Sequence, residues 1–118
     1  MEKEFIPYEQ ALALKELGFD EPCFKGYTEE YKTLISFSNT HTNTSVKNTL
    51  PTKPFTAPLY QQAFRWFREK YGFNISITND GYIALDMKKS QSYIDEADYY
   101  EESELECLKK LIEIVKEK

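Results

Sequence analysis

Hydrophobic residues recur at helical spacing in three segments, 7–17, 57–71 and about 99–116. The middle segment shows the clearest pattern, since Phe64, Trp66 and Phe67 fall on one broad arc of a helical wheel and the polar residues fall on the other. Gly18 is placed to cap the first helix and Thr56 to begin the second. We therefore predict three helices, with the Trp66 face packed on the strands.

Alternation of apolar and polar residues predicts strands between the helices. Phe24 and Tyr27 mark a short strand, and Thr33, Ile35 and Phe37 mark a second at 32–38. Two further strands flank Asn79-Asp80-Gly81, which is typical of a hairpin.

The register of this second hairpin follows from one criterion. A three-residue loop at 79–81 pairs Ile77 with Ile83, Ile75 with Leu85 and Phe73 with Met87, and it places all six apolar side chains on one face. A two-residue turn at Asp80-Gly81 does not. We therefore expect the three-residue loop, with Gly81 in its left-handed position.

These elements predict a single α+β domain over residues 1–118. The expected order is helix, two strands, helix, two strands, helix, with a small antiparallel sheet made of the two hairpins. Residues 39–55 are rich in Thr and Asn, so we expect a long polar loop there, with at most a short extended piece near Val46. The high content of Phe and Tyr provides the apolar area that a core needs.

The charge is unevenly distributed along the chain. Segment 31–68 contains five basic residues and no acid, whereas the rest holds all 20 acids and the other ten basic residues, for a formal net charge of −5. Arg65 and Arg68 lie one helical turn apart on the polar arc of the second helix. Together with Gln61, Lys47 and Lys53, they are the candidate contact residues for a partner carrying phosphate or carboxylate groups. The alternative is that both arginines pair with the protein's own acids.

The acidic tract 95–106 permits a different interpretation. It can be a solvated face at the start of the last helix, or it can imitate the phosphate backbone of DNA and block a DNA-binding protein. In the second case, neutralising Glu101, Glu102 and Glu106 would abolish inhibition.

Catalytic chemistry has little support in the sequence, so we expect a protein that is not an enzyme. His41 is the one histidine, and only Cys23 or a nearby hydroxyl is available as its nucleophile. Two cysteines and one histidine are a poor metal-ligand set, and Cys107 is expected to be a buried free thiol. We therefore predict no catalytic residue, no metal and no cofactor.

No apolar run approaches the roughly 20 residues that a membrane-spanning helix needs, and the N-terminus has no apolar signal region. We therefore predict a cytoplasmic protein without a membrane partner.

Four stretches resemble a group of short uncharacterised proteins encoded by phages and prophages of Bacteroidetes-type bacteria: PYEQAL (7–12), KELGFDEPC (15–23), QAFRWFREKYG (62–72) and ELECLKKLIEIV (104–115). The resemblance implies a viral or mobile-element context and assigns no activity.

The leading functional hypothesis is a non-catalytic protein that binds another macromolecule, with another protein as the expected partner. Nucleic-acid binding through segment 31–68 is the alternative, but a net charge of −5 repels phosphate at long range. The DNA-mimic hypothesis for 95–106 is the third. The sequence leaves the oligomeric state open.

Overall fold

A computed structural model describes residues 4–28, 32–45 and 54–117 of the 118-residue chain. In this part of the chain, three helices and six strands follow one another as α1 (Tyr8–Glu16), β1 (Cys23–Tyr27), β2 (Leu34–His41), β3 (Phe55–Thr56), α2 (Tyr60–Tyr71), β4 (Phe73–Thr78), β5 (Gly81–Asp86), β6 (Gln91–Glu96) and α3 (Tyr100–Lys116). The predicted α+β class is confirmed.

The chain divides into two compact units, Met1–Leu59 and Tyr60–Lys118. Each unit contains a three-stranded sheet, in the orders β2-β1-β3 and β4-β5-β6, and every pairing is antiparallel. The two predicted hairpins therefore belong to two sheets, and each sheet gains a third strand that the sequence pattern did not indicate. The expectation of a single domain stays a prediction.

In the first unit, α1 begins and ends within one residue of its predicted bounds. Its C-terminus is closed by Gly18, whose φ of 95° lies in the left-handed region. The amide of Phe19 then donates to the carbonyl of Leu14 at 2.9 Å. The rings of Tyr8, Tyr27 and Phe55 pack together beside this helix, with ring centroids 5.3–6.2 Å apart.

Part of the expected 39–55 loop is ordered structure. Strand β2 extends to His41, and the following turn is fixed by Asn43. The side chain of Asn43 donates to the carbonyl of Phe19 at 2.8 Å and accepts from the amide of Thr56 at 2.8 Å. The amide and hydroxyl of Thr44 both donate to Asp20, and these hydrogen bonds lower the pKa of that carboxyl group. The piece expected near Val46 lies outside the described residues.

Helix α2 begins at Tyr60, three residues later than predicted, so Thr56 does not cap it. Phe55 and Thr56 instead pair with β1 as strand β3. Ala57 and Pro58 come next, and the residue before a proline, here Ala57, favours extended backbone. Pairing of the preceding residues with β1 and the restriction that Pro58 places on Ala57 therefore outweigh the helical propensity of residues 57–59.

The apolar arc of α2 is buried, as predicted. Trp66 is 6% exposed, Phe64 is 7% exposed and Phe67 is fully buried. Within the second unit, the ring of Phe67 meets the ring of Phe73 on β4 edge to face, with centroids 6.5 Å apart. The predicted packing of this face against the strands is confirmed.

Helix α3 matches its predicted range and packs on one face of the second sheet. Cys107, Leu108 and Leu111 are fully buried along it, so the expectation of a buried free thiol at Cys107 is confirmed. Tyr99 is the N-cap residue of α3, and the backbone amide of Asp98 donates to the carboxylate of Glu102 at 3.2 Å.

The predicted register of the second hairpin is wrong. Thr78 pairs with Gly81, Ile77 with Tyr82 and Ser76 with Ile83, so the turn contains only Asn79 and Asp80. Gly81 has a φ of 151° and lies inside the strand rather than at the left-handed position of a loop. A Cβ atom on Gly81 would overlap the carbonyl oxygen of Asp95 on β6. The close approach of β6 thus fixes this position as glycine.

Candidate binding surface

Strand β5 has two faces of opposite character. Tyr82, Ala84 and Asp86 point to the side covered by α3 and are 5%, 0% and 0% exposed. The side chains between them, Ile83 and Leu85, point the other way because successive residues of a strand alternate. The strand thus places its larger aliphatic side chains on the side away from the helix.

We call this second side the open face and define it by Ile83, Leu85 and Ile94 with the adjoining Met87. Ile83 and Ile94 are direct cross-strand partners, so their side chains stand beside each other. Ile94 is 69% exposed, Met87 61% and Ile83 42%. Isolated exposed hydrophobic residues are common on proteins, but neighbours on one sheet face form a patch that indicates a binding site.

A cavity of about 750 Å³ lies at one end of the open face. Its lining includes Ile83 and Ile94 together with Tyr82 and Ala97. Five acidic residues also line it, and these define what we call the acidic pocket: Asp80, Asp95, Glu96, Asp98 and Glu102. Asp95 pairs with Tyr82, so its side chain leaves the sheet on the face opposite Ile94, whereas Glu96 shares the face of Ile94. None of the residues that line this cavity is basic. The acidic pocket thus combines an apolar floor with a strongly negative rim.

The rim is assembled from three elements that are linked by hydrogen bonds donated by two backbone amides. The amide of Ala97, after β6, donates to the carbonyl of Asp80 in the β4–β5 turn at 2.9 Å. The amide of Asp98 donates to the carboxylate of Glu102, in the first turn of α3, at 3.2 Å. The turn, the end of β6 and the start of α3 are therefore fixed around the cavity before any ligand binds.

A second, smaller cavity of about 310 Å³ lies at the other end of β5 and is lined in part by Leu85, Met87 and Ser92. Lys88 and Lys89 occupy the turn here, six strand residues or roughly 20 Å from the acidic pocket. Their backbone amides donate to the buried carboxylate of Asp86 at 3.1 and 3.3 Å. Acidic residues therefore gather at one end of β5, and two lysines follow its other end.

The structure places three of the five residues predicted from charge. Gln61, Arg65 and Arg68 are exposed on one arc of α2, as the helical wheel indicated. Lys47 and Lys53 lie outside the described residues. The arginine arc and the open face are two separate candidate surfaces within the second unit.

The structure places the members of the acidic tract 95–106 in different surroundings. Asp95, Glu96, Asp98 and Glu102 line the acidic pocket together with Asp80, which lies far from the tract in sequence. Glu106 instead contacts Lys109, with 3.4 Å between carboxylate oxygen and ammonium nitrogen. The order of residues along the chain could not reveal this division because it depends on the β4–β5 turn meeting the end of β6.

The cysteine and histidine considered for catalysis do come together. Cys23 and His41 are cross-strand partners in the first sheet. However, Cys23 is only 2% exposed, its thiol donates to the carbonyl of Glu21, and burial raises its pKa to about 11. The ring of His41 stands edge to face with that of Phe37, with centroids 5.1 Å apart. At neutral pH the thiol is protonated, and a thiol is a weak nucleophile.

Among the described residues, no group of His, Cys, Asp and Glu side chains is arranged to hold a metal ion, and this includes the five carboxylates of the acidic pocket. None of the helices in the described ranges has the length and hydrophobicity needed to cross a bilayer. The cytoplasmic location stays a prediction.

Comparison with known proteins gives no match to a family model, to a curated protein or to a solved structure. The resemblance to phage and prophage proteins therefore stays a prediction, and the functional argument depends on the geometry of the surface.

Proposed function

We propose that this is a non-catalytic protein whose role is to bind another protein through the open face of its second sheet. The observation that carries the proposal is the exposure of Ile83, Met87 and Ile94 on one sheet face, at 42%, 61% and 69%. Covering these side chains with a partner removes apolar area from water, and each square ångström so buried contributes about 25 cal/mol.

The arrangement of the sheet supports this proposal. Ile83 and Ile94 stand side by side across two paired strands, so one partner side chain can contact both. The strands beneath them are held by α3 on the opposite face, where Tyr82 and Ala84 are buried. A surface supported in this way loses little conformational freedom on binding, which favours affinity.

Chemical features weigh against the other function classes. The rim of five carboxylates and the net charge of −5 repel the phosphates of a nucleic acid. The one histidine faces a cysteine whose pKa is raised to about 11, which does not favour nucleophilic catalysis. The context proposed from the sequence resemblance, a phage or prophage of a Bacteroidetes-type bacterium, is compatible with a small protein that acts by occupying a partner's surface.

The arginine arc is a second candidate surface for the same function. Arg65 and Arg68 are both exposed and lie one turn apart beside Gln61. A partner with carboxylates at matching spacing would receive forked hydrogen bonds from the two guanidinium groups.

A capture experiment from the lysate of a Bacteroidetes-type host separates the two surfaces. The variants are Ile83→Ser/Ile94→Ser on the open face and Arg65→Ala/Arg68→Ala on α2, each checked for folding by circular dichroism and thermal unfolding. We expect a discrete protein to be retained by the wild type and by the arginine variant and to be lost from the isoleucine variant.

Equal recovery of that protein by the wild type and the isoleucine variant would contradict the open face as the contact surface. Loss from the arginine variant alone would assign the contact to α2. If the wild type enriches no protein relative to either variant, protein binding through these two surfaces is refuted.

A further inference from the structure

The acidic pocket specifies the chemistry of the partner. Its rim carries five carboxylates, of which Asp80, Asp95, Glu96 and Asp98 are exposed, and no basic side chain lines it. Like charges held together at one site raise the local negative potential, and that potential attracts cations. The nearest basic residues on the sheet, Lys88 and Lys89, are at the far end of β5. The pocket's charge is therefore not neutralised from within the sheet.

We propose that the acidic pocket binds a segment of the partner protein in which lysine or arginine side chains accompany apolar ones. This inference rests on the proposed function and adds the chemical class of the partner. A lysine or arginine entering the pocket can lay its aliphatic stem over Ile83 and Ile94 and place its charged head among the rim carboxylates. The cavity of about 750 Å³ has room for such a side chain and its neighbours.

Charge complementarity selects this occupant over a second copy of the same chain. Two copies docked through their acidic pockets would bring ten carboxylates together without a compensating base in either lining. Like charges placed opposite each other oppose association. Acidic residues on an edge strand such as β6 also discourage pairing of that strand with its own kind. A basic partner removes this repulsion.

The probe is a fluorescein-labelled peptide in which lysine and isoleucine alternate. Two companion peptides replace every lysine with glutamate or every isoleucine with serine. Fluorescence anisotropy with the full-length protein at low salt measures the affinity for each. We expect binding of the lysine–isoleucine peptide, weakening by raised salt, no binding of the glutamate peptide, and weaker binding of the serine peptide.

The decisive comparison uses two variants that remove the same number of charges. Asp80→Asn/Glu96→Gln/Asp98→Asn changes the rim, whereas Glu16→Gln/Glu69→Gln/Glu117→Gln changes exposed acids elsewhere. Because exposed charge pairs act locally and are screened over distance, we expect the rim variant to bind about tenfold more weakly and the control variant to change affinity by less than about twofold. Thermal unfolding of both variants confirms that each is folded.

Equal weakening by the two triple variants would overturn the proposal, because it would show a response to net charge rather than to the pocket. Binding of the glutamate peptide as tightly as the lysine peptide would overturn it as well. If a cellular partner is captured through Ile83 and Ile94 but is insensitive to the rim variant, the proposed function stands and this inference fails.

Discussion

On strand β5 the usual relation between hydrophobicity and burial is reversed. The buried face carries small or polar side chains, and the exposed face carries aliphatic ones. The covered face carries a tyrosine, an alanine and an aspartate, Tyr82, Ala84 and Asp86. The open face carries Ile83 and Leu85, and Met87 adjoins them. Helix α3 covers only one side of β5 and so determines which of its side chains are buried. The side chains on the other side can contact a partner.

Local backbone groups stabilise one carboxylate oxygen of the buried Asp86 on the covered face. One carboxylate oxygen of Asp86 accepts hydrogen bonds from the amides of Lys88 and Lys89 in the following turn. Ala84 is small, which leaves room for α3 to approach. No comparable local group contacts the exposed isoleucines of the open face in the part of the chain that the structure describes, and the proposed partner would cover them.

The largest effect is expected at Gly81, where the backbone of β6 lies close against β5. A side chain on Gly81 would meet the carbonyl of Asp95, and its φ of 151° disfavours any other residue. Gly81→Ala and Gly81→Asn should therefore both lower the free energy of unfolding by about 3 kcal/mol or more, as measured by urea denaturation. Asparagine tolerates the left-handed loop position well. A much milder effect of Gly81→Asn than of Gly81→Ala would therefore support the three-residue loop and contradict the present register.

A matched pair of truncations compares the two faces directly. Tyr82→Ala removes a ring that is 5% exposed and should lower the free energy of unfolding by about 3 kcal/mol. Ile83→Ala, one residue along and 42% exposed, should cost less than about 1 kcal/mol. The reverse order of the two costs in the same denaturation experiment would place Ile83 in the core and refute the open face.

Adding volume to the covered face tests how closely α3 packs there. Ala84 is fully buried, so Ala84→Ile should overpack the space and lower the free energy of unfolding by about 1–3 kcal/mol. Ser76→Ile is the control, because Ser76 is exposed and faces Ile83 across the strand pair. A neutral or stabilising Ala84→Ile variant would mean that the covered face is loosely packed.

The smallest effect concerns pH. Burial, with a lesser contribution from neighbouring acidic groups, raises the pKa of Tyr82 from 10.0 to about 12. In the unfolded chain the phenol loses its proton first, so the stability linked to Tyr82 is present below pH 10 and is lost as the pH rises towards 12. The melting temperature of the wild type should therefore fall more steeply than that of Tyr82→Phe in this window. Parallel curves would show that Tyr82 is accessible to water.

Hydrophobic periodicity correctly predicted the elements whose buried face depends only on the spacing of residues along the chain. The arc of α2 with Trp66 and Phe67, the stripe of α3 with Cys107 and Leu108, and the end of α1 at Gly18 were all predicted, because each depends on local spacing. The exposed arginine arc of α2 followed from the same wheel.

The same pattern gave a wrong register or missed a strand where the structure depends on the pairing of strands with one another. The register criterion placed all the apolar residues of β4 and β5 on one face, and it has no means of recognising that Ile83 and Leu85 face away from α3. Strand β6, Gln91–Glu96, was hidden because its acids suggested a solvated tract and five of its six residues are exposed. The acidic pocket depends on both of these features, so the sequence indicated its acids but not their grouping.

The exposure of the aliphatic side chains of β5 and β6 to water in the isolated protein can be measured with a soluble paramagnetic agent, since methyl NMR signals of accessible side chains relax faster in its presence. We expect strong enhancement of relaxation at Ile83, Met87 and Ile94 and little at Leu111 and Ile112 on α3. Protection of Ile83 and Ile94 to the level of Leu111 in the monomeric protein would contradict this expectation.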